Sequence, residues 1–243
     1  MAWIYELFPV NMFPETCMRV YFSDDYTLAD FIIVNSGLHA LFWAQAHLTS
    51  THDREEYEKL SFDCAANMGV ALANLPLHLP ANTDYIMALV SGAFYAVELT
   101  KPTLGWVLIS KASELCQTLG YHRAESYQAD RPDDARHKQF LFWAIYTLEK
   151  GISLRLGRCS TIQDYDITVP HPVSDDPRRM AICEFTTAWV ECARIQGQIY
   201  ERLYCPEAIR QSESTRRARV QALVEDLEKL ETYTTGIYVR IPF

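Results

Sequence analysis

Phe140-Leu141-Phe142-Trp143-Ala144-Ile145-Tyr146-Thr147-Leu148-Glu149-Lys150-Gly151-Ile152-Ser153-Leu154-Arg155-Leu156-Gly157-Arg158 is the stretch whose reading decides the fold. Leu141, Ile145, Leu148, Ile152 and Leu156 recur at three- and four-residue steps, one stripe of a helix. Phe140, Phe142, Trp143, Ala144 and Tyr146 make the first half apolar on nearly every side, and a helix of that kind belongs inside a core. Glu149, Lys150 and Arg155 lie in the same run, so at least one of them is carried inward and needs a partner there. The pattern predicts a helix over 134–156, then an exit through Gly157 and Arg158 into a short acidic segment ending at Pro170.

Just upstream, Leu104, Leu108, Ala112, Leu115 and Leu119 mark a helix over 102–121. Pro102 suits its first turn, where the missing N–H has no partner anyway, and Gly120 supplies a left-handed stop. Further out, a proline-punctuated aromatic lead-in over 1–22 reads as a short helix or an extended segment packed over the core. Ser23-Asp24-Asp25 then makes a turn and cap for a helix over 27–49, its inward face carrying Leu28, Ile32, Asn35, Leu38, Leu41 and Phe42. Helices follow over 54–75 and, capped by Asn82 or Thr83, through Leu99; two more span 178–204 and 207–233, broken at Cys205-Pro206. Only 236–241 has β-like composition. The expectation is an all-α fold of seven to eight helices packed as stacked antiparallel pairs in one domain, residues 1–243.

The order Lys101-Pro102, Trp106, Leu119-Gly120-Tyr121-His122-Arg123, Phe142-Trp143-Ala144-Ile145-Tyr146, Ser153-Leu154 with Leu156-Gly157-Arg158, then Asp164, Asp166-Ile167 and Pro170, resembles the fungal-specific transcription factor domain. That domain is the middle homology region of the fungal zinc-cluster regulators, and the likeness is most specific over 101–170. The sequence departs from the pattern at His137-Lys138, where two arginines are common, at Glu149-Lys150, which stands for an Asp-Arg pair, and at Cys159, which replaces a proline. The six-cysteine zinc cluster that gives the family its DNA contact is not in these 243 residues, so the chain reads as an excised fragment or a short stand-alone relative.

Composition narrows the function classes. An apolar fraction of 49% and a charged fraction of 22% are those of a globular protein with a substantial core. The net charge of −9 speaks against direct nucleic-acid contact, which needs clustered Lys and Arg. The apolar runs 40–46 and 140–146 fall well short of the ~20 residues of a membrane span, and Met1-Ala2-Trp3-Ile4-Tyr5-Glu6 has no secretory pattern. Seven widely spaced cysteines, with no CxxC pair, read as buried free thiols of an intracellular protein. The seven histidines lack metal-ligand spacing, and no phosphate-cradling loop or nucleophile elbow occurs, so neither metal nor cofactor is expected.

His122-Arg123, past the stop at Gly120, places cations at the negative end of a helix. Arg158 with Asp164 and Asp166 forms a candidate ion-pair clasp folding the exit segment onto its helix, the alternative being a catalytic carboxylate pair. Trp43, Trp106, Trp143, Trp189 and their aromatic neighbours either fill the core or line a cavity for a small apolar ligand. The candidate ligand-binding residues are His39, Tyr95, Trp106, His122, Trp143, Tyr146, Glu149 and Arg158. The resemblance implies a non-enzymatic regulatory domain, nuclear, that senses a small molecule or mediates homodimer or partner contacts. The alternative is a cytoplasmic stand-alone protein of secondary metabolism on the same scaffold, a cofactor-independent cyclase or isomerase or a small-molecule binder.

Overall fold

The computed structural model describes residues 6–9, 12–49 and 51–240, with 51, 52, 177, 178 and 237–240 described by backbone alone. Among them are nine α-helices and no strand: α1 Phe13–Phe22, α2 Leu28–Leu48, α3 Thr51–Ala73, α4 Thr83–Glu98, α5 Pro102–Thr118, α6 Pro132–Arg155, α7 Pro177–Ile199, α8 Pro206–Ile209 and α9 Glu213–Arg240. The chain is all-α, as the periodicity requires. It divides into two compact units, Met1–Leu119 with α1–α5 and Gly120–Phe243 with α6–α9.

In the first unit α2 is the central helix, with Ala29, Ile32, Ile33 and Val34 buried. Its cap is Thr27, not the preceding acidic turn: the Thr27 hydroxyl accepts from the Asp30 N–H, and the Asp30 carboxylate accepts from the Thr27 N–H. The antiparallel register of α2 and α3 is fixed by Asn67 donating to Asn35, by His39 meeting Ser61 and by Phe42 lying over Tyr57. Leu41 and Trp43, expected inside, are exposed. The first turns of α3 carry Asp53, Arg54, Glu55 and Glu56, which stay in water and leave the end of α2 uncovered. Asn82 caps α4, which buries Ile86 through Val90 and packs on α2 and α5. It ends on Thr100, a non-glycine residue at φ 55°.

In the second unit α6 is the central helix. Gly157 at φ 64° ends it: the Gly157 N–H bonds the Leu154 carbonyl and the Arg158 N–H that of Ser153, a Schellman closure. The chain then runs back along α6. Ser160 and Thr161 meet Glu149, Asp164 meets Tyr146, and the Pro170 carbonyl meets Trp143 and Gln139. Because this return delivers the chain to the start of α6, α7 runs in the same direction as α6 and brings Gly197 against Lys150 near its end. The antiparallel order expected of helix pairs therefore holds for α2–α3 but not here, where a long connection replaces a tight turn.

The helix expected over 178–204 closes in a π turn, Tyr200–Tyr204, and the one expected over 207–233 is split into α8 and α9. Residues 236–240, β-like in composition, continue α9: with no strand beside them among the described residues, helical bonding is what satisfies their backbone. No disulfide joins cysteines among the described residues, and only Cys64 and Cys116 are fully buried while Cys159 is exposed. Among the described residues no helix is long and apolar enough to cross a membrane.

Candidate functional site

The interior face of α6 is the most polar buried surface of the second unit. Glu149 and Lys150 are 0% and 1% exposed, whereas Arg155 is exposed. The Glu149 carboxylate accepts from Ser153 Oγ at 2.8 Å, Ser160 Oγ at 2.6 Å and the Thr161 N–H at 2.9 Å. Lys150 Nζ donates to the Ile162 carbonyl at 2.9 Å, lies 2.8 Å from Asp164 and sits 5.2 Å from the centre of the Tyr146 ring. Tyr146 donates to Asp164 at 3.0 Å; burial first, and then the Asp164 carboxylate, push its phenol far above the ordinary range. Trp143 Nε1 donates to the Pro170 carbonyl at 3.0 Å.

The far end of the returning segment is held from outside α6. The His122 carbonyl accepts from the N–H groups of Thr168 and Val169, and Arg123 donates to Asp166 at 2.7 Å. His122 is buried, its Nε2 accepts from Arg123 Nε at 3.0 Å and lies 3.3 Å from Asp166, and its Nδ1 has no hydrogen-bond partner among the described residues. A clasp is present, and the cations seen on its carboxylates are Lys150 on Asp164 and Arg123 on Asp166, whereas the expectation named Arg158. Arg158 is half-buried just beyond the helix stop.

Five of the eight candidate residues, His122, Trp143, Tyr146, Glu149 and Arg158, thus lie on α6 or at the ends of the segment that returns over it. His39, Tyr95 and Trp106 lie in the first unit. His39 ties three of its helices: Nδ1 is 2.9 Å from the Ser61 carbonyl on α3, and Nε2 is 3.6 Å from Glu98 on α4. The hydrogen bond that its ring donates to Glu98 raises its pKa, against the opposing effect of burial. Tyr95 reaches toward Gly69 on α3, and Trp106 is half-buried on α5. The cavity enclosed by Phe8, Phe13, Asp30, Asp84 and Met87 is about 10 Å³, room for a single water. Sequence reasoning passed over Lys150, Ser153 and Ser160 as candidate site residues and named Asp164 only in the ion-pair clasp or a carboxylate pair; the signal for them was two adjacent charges in an apolar helix, which obliges nearby loop groups to answer.

The arrangement is suited to holding a loop rather than to chemistry. A carboxylate that accepts three hydrogen bonds and an ammonium tied to a carbonyl and a carboxylate are both bound to the returning segment. Residues 31–238 match the family described as the fungal specific transcription factor domain. An ABC-transporter-regulating transcription factor of Aspergillus oryzae is 24% identical over 244 residues, 93% of this chain and 26% of that protein. Its counterpart in Aspergillus fumigatus is 26% identical over 165 residues, 60% of this chain and 18% of that protein. The lactose regulatory protein of Kluyveromyces lactis is 28% identical over 148 residues, 59% of this chain and 15% of that protein. The chain spans about a quarter or less of the length of these curated relatives. No solved structure matches it.

Proposed function

Because the chain belongs to the fungal-specific transcription factor domain family, we propose that it is the non-enzymatic regulatory domain of a transcription regulator, working in the nucleus. The observation that carries this reading is the saturation of the α6 network: its buried acid, base and phenol are spent on holding residues 160–170 in place. A general base must face a substrate, and Glu149, 0% exposed beneath the returning segment, faces none.

The regulatory step is a population shift of the clasped segment. A ligand biases a two-state element only by binding one arrangement better than the other. The effector is a small, largely apolar molecule that meets the aromatic edge of the clasp at Trp143 and Tyr146, with His122 Nδ1 as the group able to bond it. The test is a reporter assay with the chain fused to a heterologous DNA-binding domain, run with wild type and Glu149→Ala, beside a thermal-shift screen of apolar metabolites with mass spectrometry of each hit. Altered reporter output in the variant, and a stabilising compound recovered unchanged, are expected. A hit recovered as a converted product would replace this reading with the cyclase or isomerase alternative.

A further inference from the structure

Pro206 leaves a gap that α9 fills. In a regular helix the Arg202 carbonyl would accept from the N–H four residues on, but that residue is Pro206, which has none. The chain closes instead in the π turn, with the Cys205 N–H on the Tyr200 carbonyl at 2.8 Å, and the Arg202 carbonyl is met by Arg219 Nη1 of α9 at 3.0 Å. Turns of this kind recur at functional sites. Between the turn and α9 lies an open groove of about 430 Å³, a volume in the range of small-ligand sites, lined by Glu201, Arg202, Thr215, Ala218, Arg219 and Ala222. The lining positions on α9 follow steps of three and four residues, one stripe, and the alanines leave a depression that longer side chains would close.

The charge of the groove selects its occupant. The chain is at −9 overall, yet residues 202–219 hold five arginines against two acids. Arg217 is taken up by Glu213. Arg202 and Arg219 are half-buried, and among the described residues neither is in an ion pair; Asp226, the acid that feels Arg202, is itself held by Lys229 at 3.0 Å. An arginine fork carries several N–H donors, and the Arg202 carbonyl uses one of those on Arg219 while fixing where the rest are aimed. We infer that this groove binds a small organic carboxylate. Arg219 and Arg202 take the carboxylate, the geometry that a guanidinium fork matches, and the methyls of Ala218 and Ala222 carry a short apolar tail. Thr215, its hydroxyl 2.8 Å from that of Ser212, closes one end. With Glu201 on the rim the lining is one charge positive, which a single carboxylate neutralises and a phosphate dianion exceeds. The inference goes beyond the regulatory reading: no lining residue belongs to the clasp, and either can fail alone.

NMR of the full chain, isotope-labelled on its arginine nitrogens, reads the side-chain Nε–H signals during titration with sodium hexanoate at fixed ionic strength. Saturable shifts of Arg202 and Arg219 are expected, with a Kd on the order of 1 mM, which about eight non-hydrogen atoms sustain in an open groove. Hexanol has the tail without the charge and inorganic phosphate the charge without the tail; each should bind at least about fivefold more weakly. Arg202→Gln weakens hexanoate roughly tenfold, read at Arg219. Ala222→Leu, a good helix former at an exposed position, fills the depression and costs about fivefold. Glu201→Gln tightens binding about threefold by removing the like charge. If Arg202→Gln fails to fold, the Ala222→Leu and Glu201→Gln pair decides. The inference is overturned by the lack of any saturable shift up to ~20 mM, by hexanol or phosphate binding as tightly as hexanoate, or by variants that leave the Kd unchanged.

Discussion

Glu149 and Lys150 are neighbours in sequence with different demands on the fold. Removing the Glu149 carboxylate takes away the acceptor shared by two hydroxyls and an N–H, one of the hydroxyls on the buried Ser153. Removing the Lys150 ammonium leaves Asp164, whose side chain is 36% exposed and can turn to water. Glu149→Ala is therefore expected to destabilise the chain by about 3 kcal/mol and Lys150→Met by roughly half as much. Denaturant midpoints of the two variants check this order. Thr100 occupies the left-handed position of a Schellman closure, with its N–H on the Val97 carbonyl and that of Lys101 on Ala96, a place that suits glycine. Thr100→Gly should stabilise by roughly 0.5–1 kcal/mol, seen as a raised Tm. His39 has its pKa raised in the folded state by Glu98. Its contribution is thus full below the unfolded value of about 6.5 and fades as the pH rises through the folded value. A comparison of denaturant midpoints near pH 5.5 and pH 8 should show that loss for the wild type and not for His39→Gln. In the sequence, Glu149, Lys150 and Arg155 look alike: all three are charges in an apolar helix. Burial divides them by which side of α6 the returning segment crosses, a fact no local pattern contains.

The helices themselves were legible because their signals are local. Periodicity, Pro102, Asn82 and the glycines at 120 and 157 act within a turn or two of where they stand, and Gly120 and Gly157 both have positive φ as their roles require. The path between helices was not legible. The segment 157–176 carries few periodic residues, and its route back along α6 is set by long-range hydrogen bonds. That route depends on α7 coming close enough to α6 for Lys150 to be sealed in. A Cβ on Gly197 would stand 3.0 Å from Lys150 Cδ and 3.1 Å from Nζ. Gly197→Ala should push Lys150 off the Ile162 carbonyl and destabilise the chain by about 1–3 kcal/mol. Hydrogen exchange at Thr161 and Val169 should quicken with it, as the clasp opens more often. Unchanged exchange at those amides would show that the segment is held without Lys150.

At the scale of the molecule, charge outweighs packing. A net charge of −9 gives no basic face to displace counterions, so the chain is expected not to retain duplex DNA at ~0.15 M salt; fluorescence anisotropy of a labelled duplex checks this. The sequence by itself determined that the chain is all-α, where most helices start and stop, and that α6 is a core helix carrying charges inward. Those properties follow from residue spacing and from caps, whose energies act over a few residues. Tertiary structure alone decided which charge meets which loop group, that α6 and α7 run in the same direction, and that Arg202 and Arg219 line one groove. Each of these depends on groups far apart in the chain coming within about 3 Å of one another, and that proximity is produced only when the helices pack.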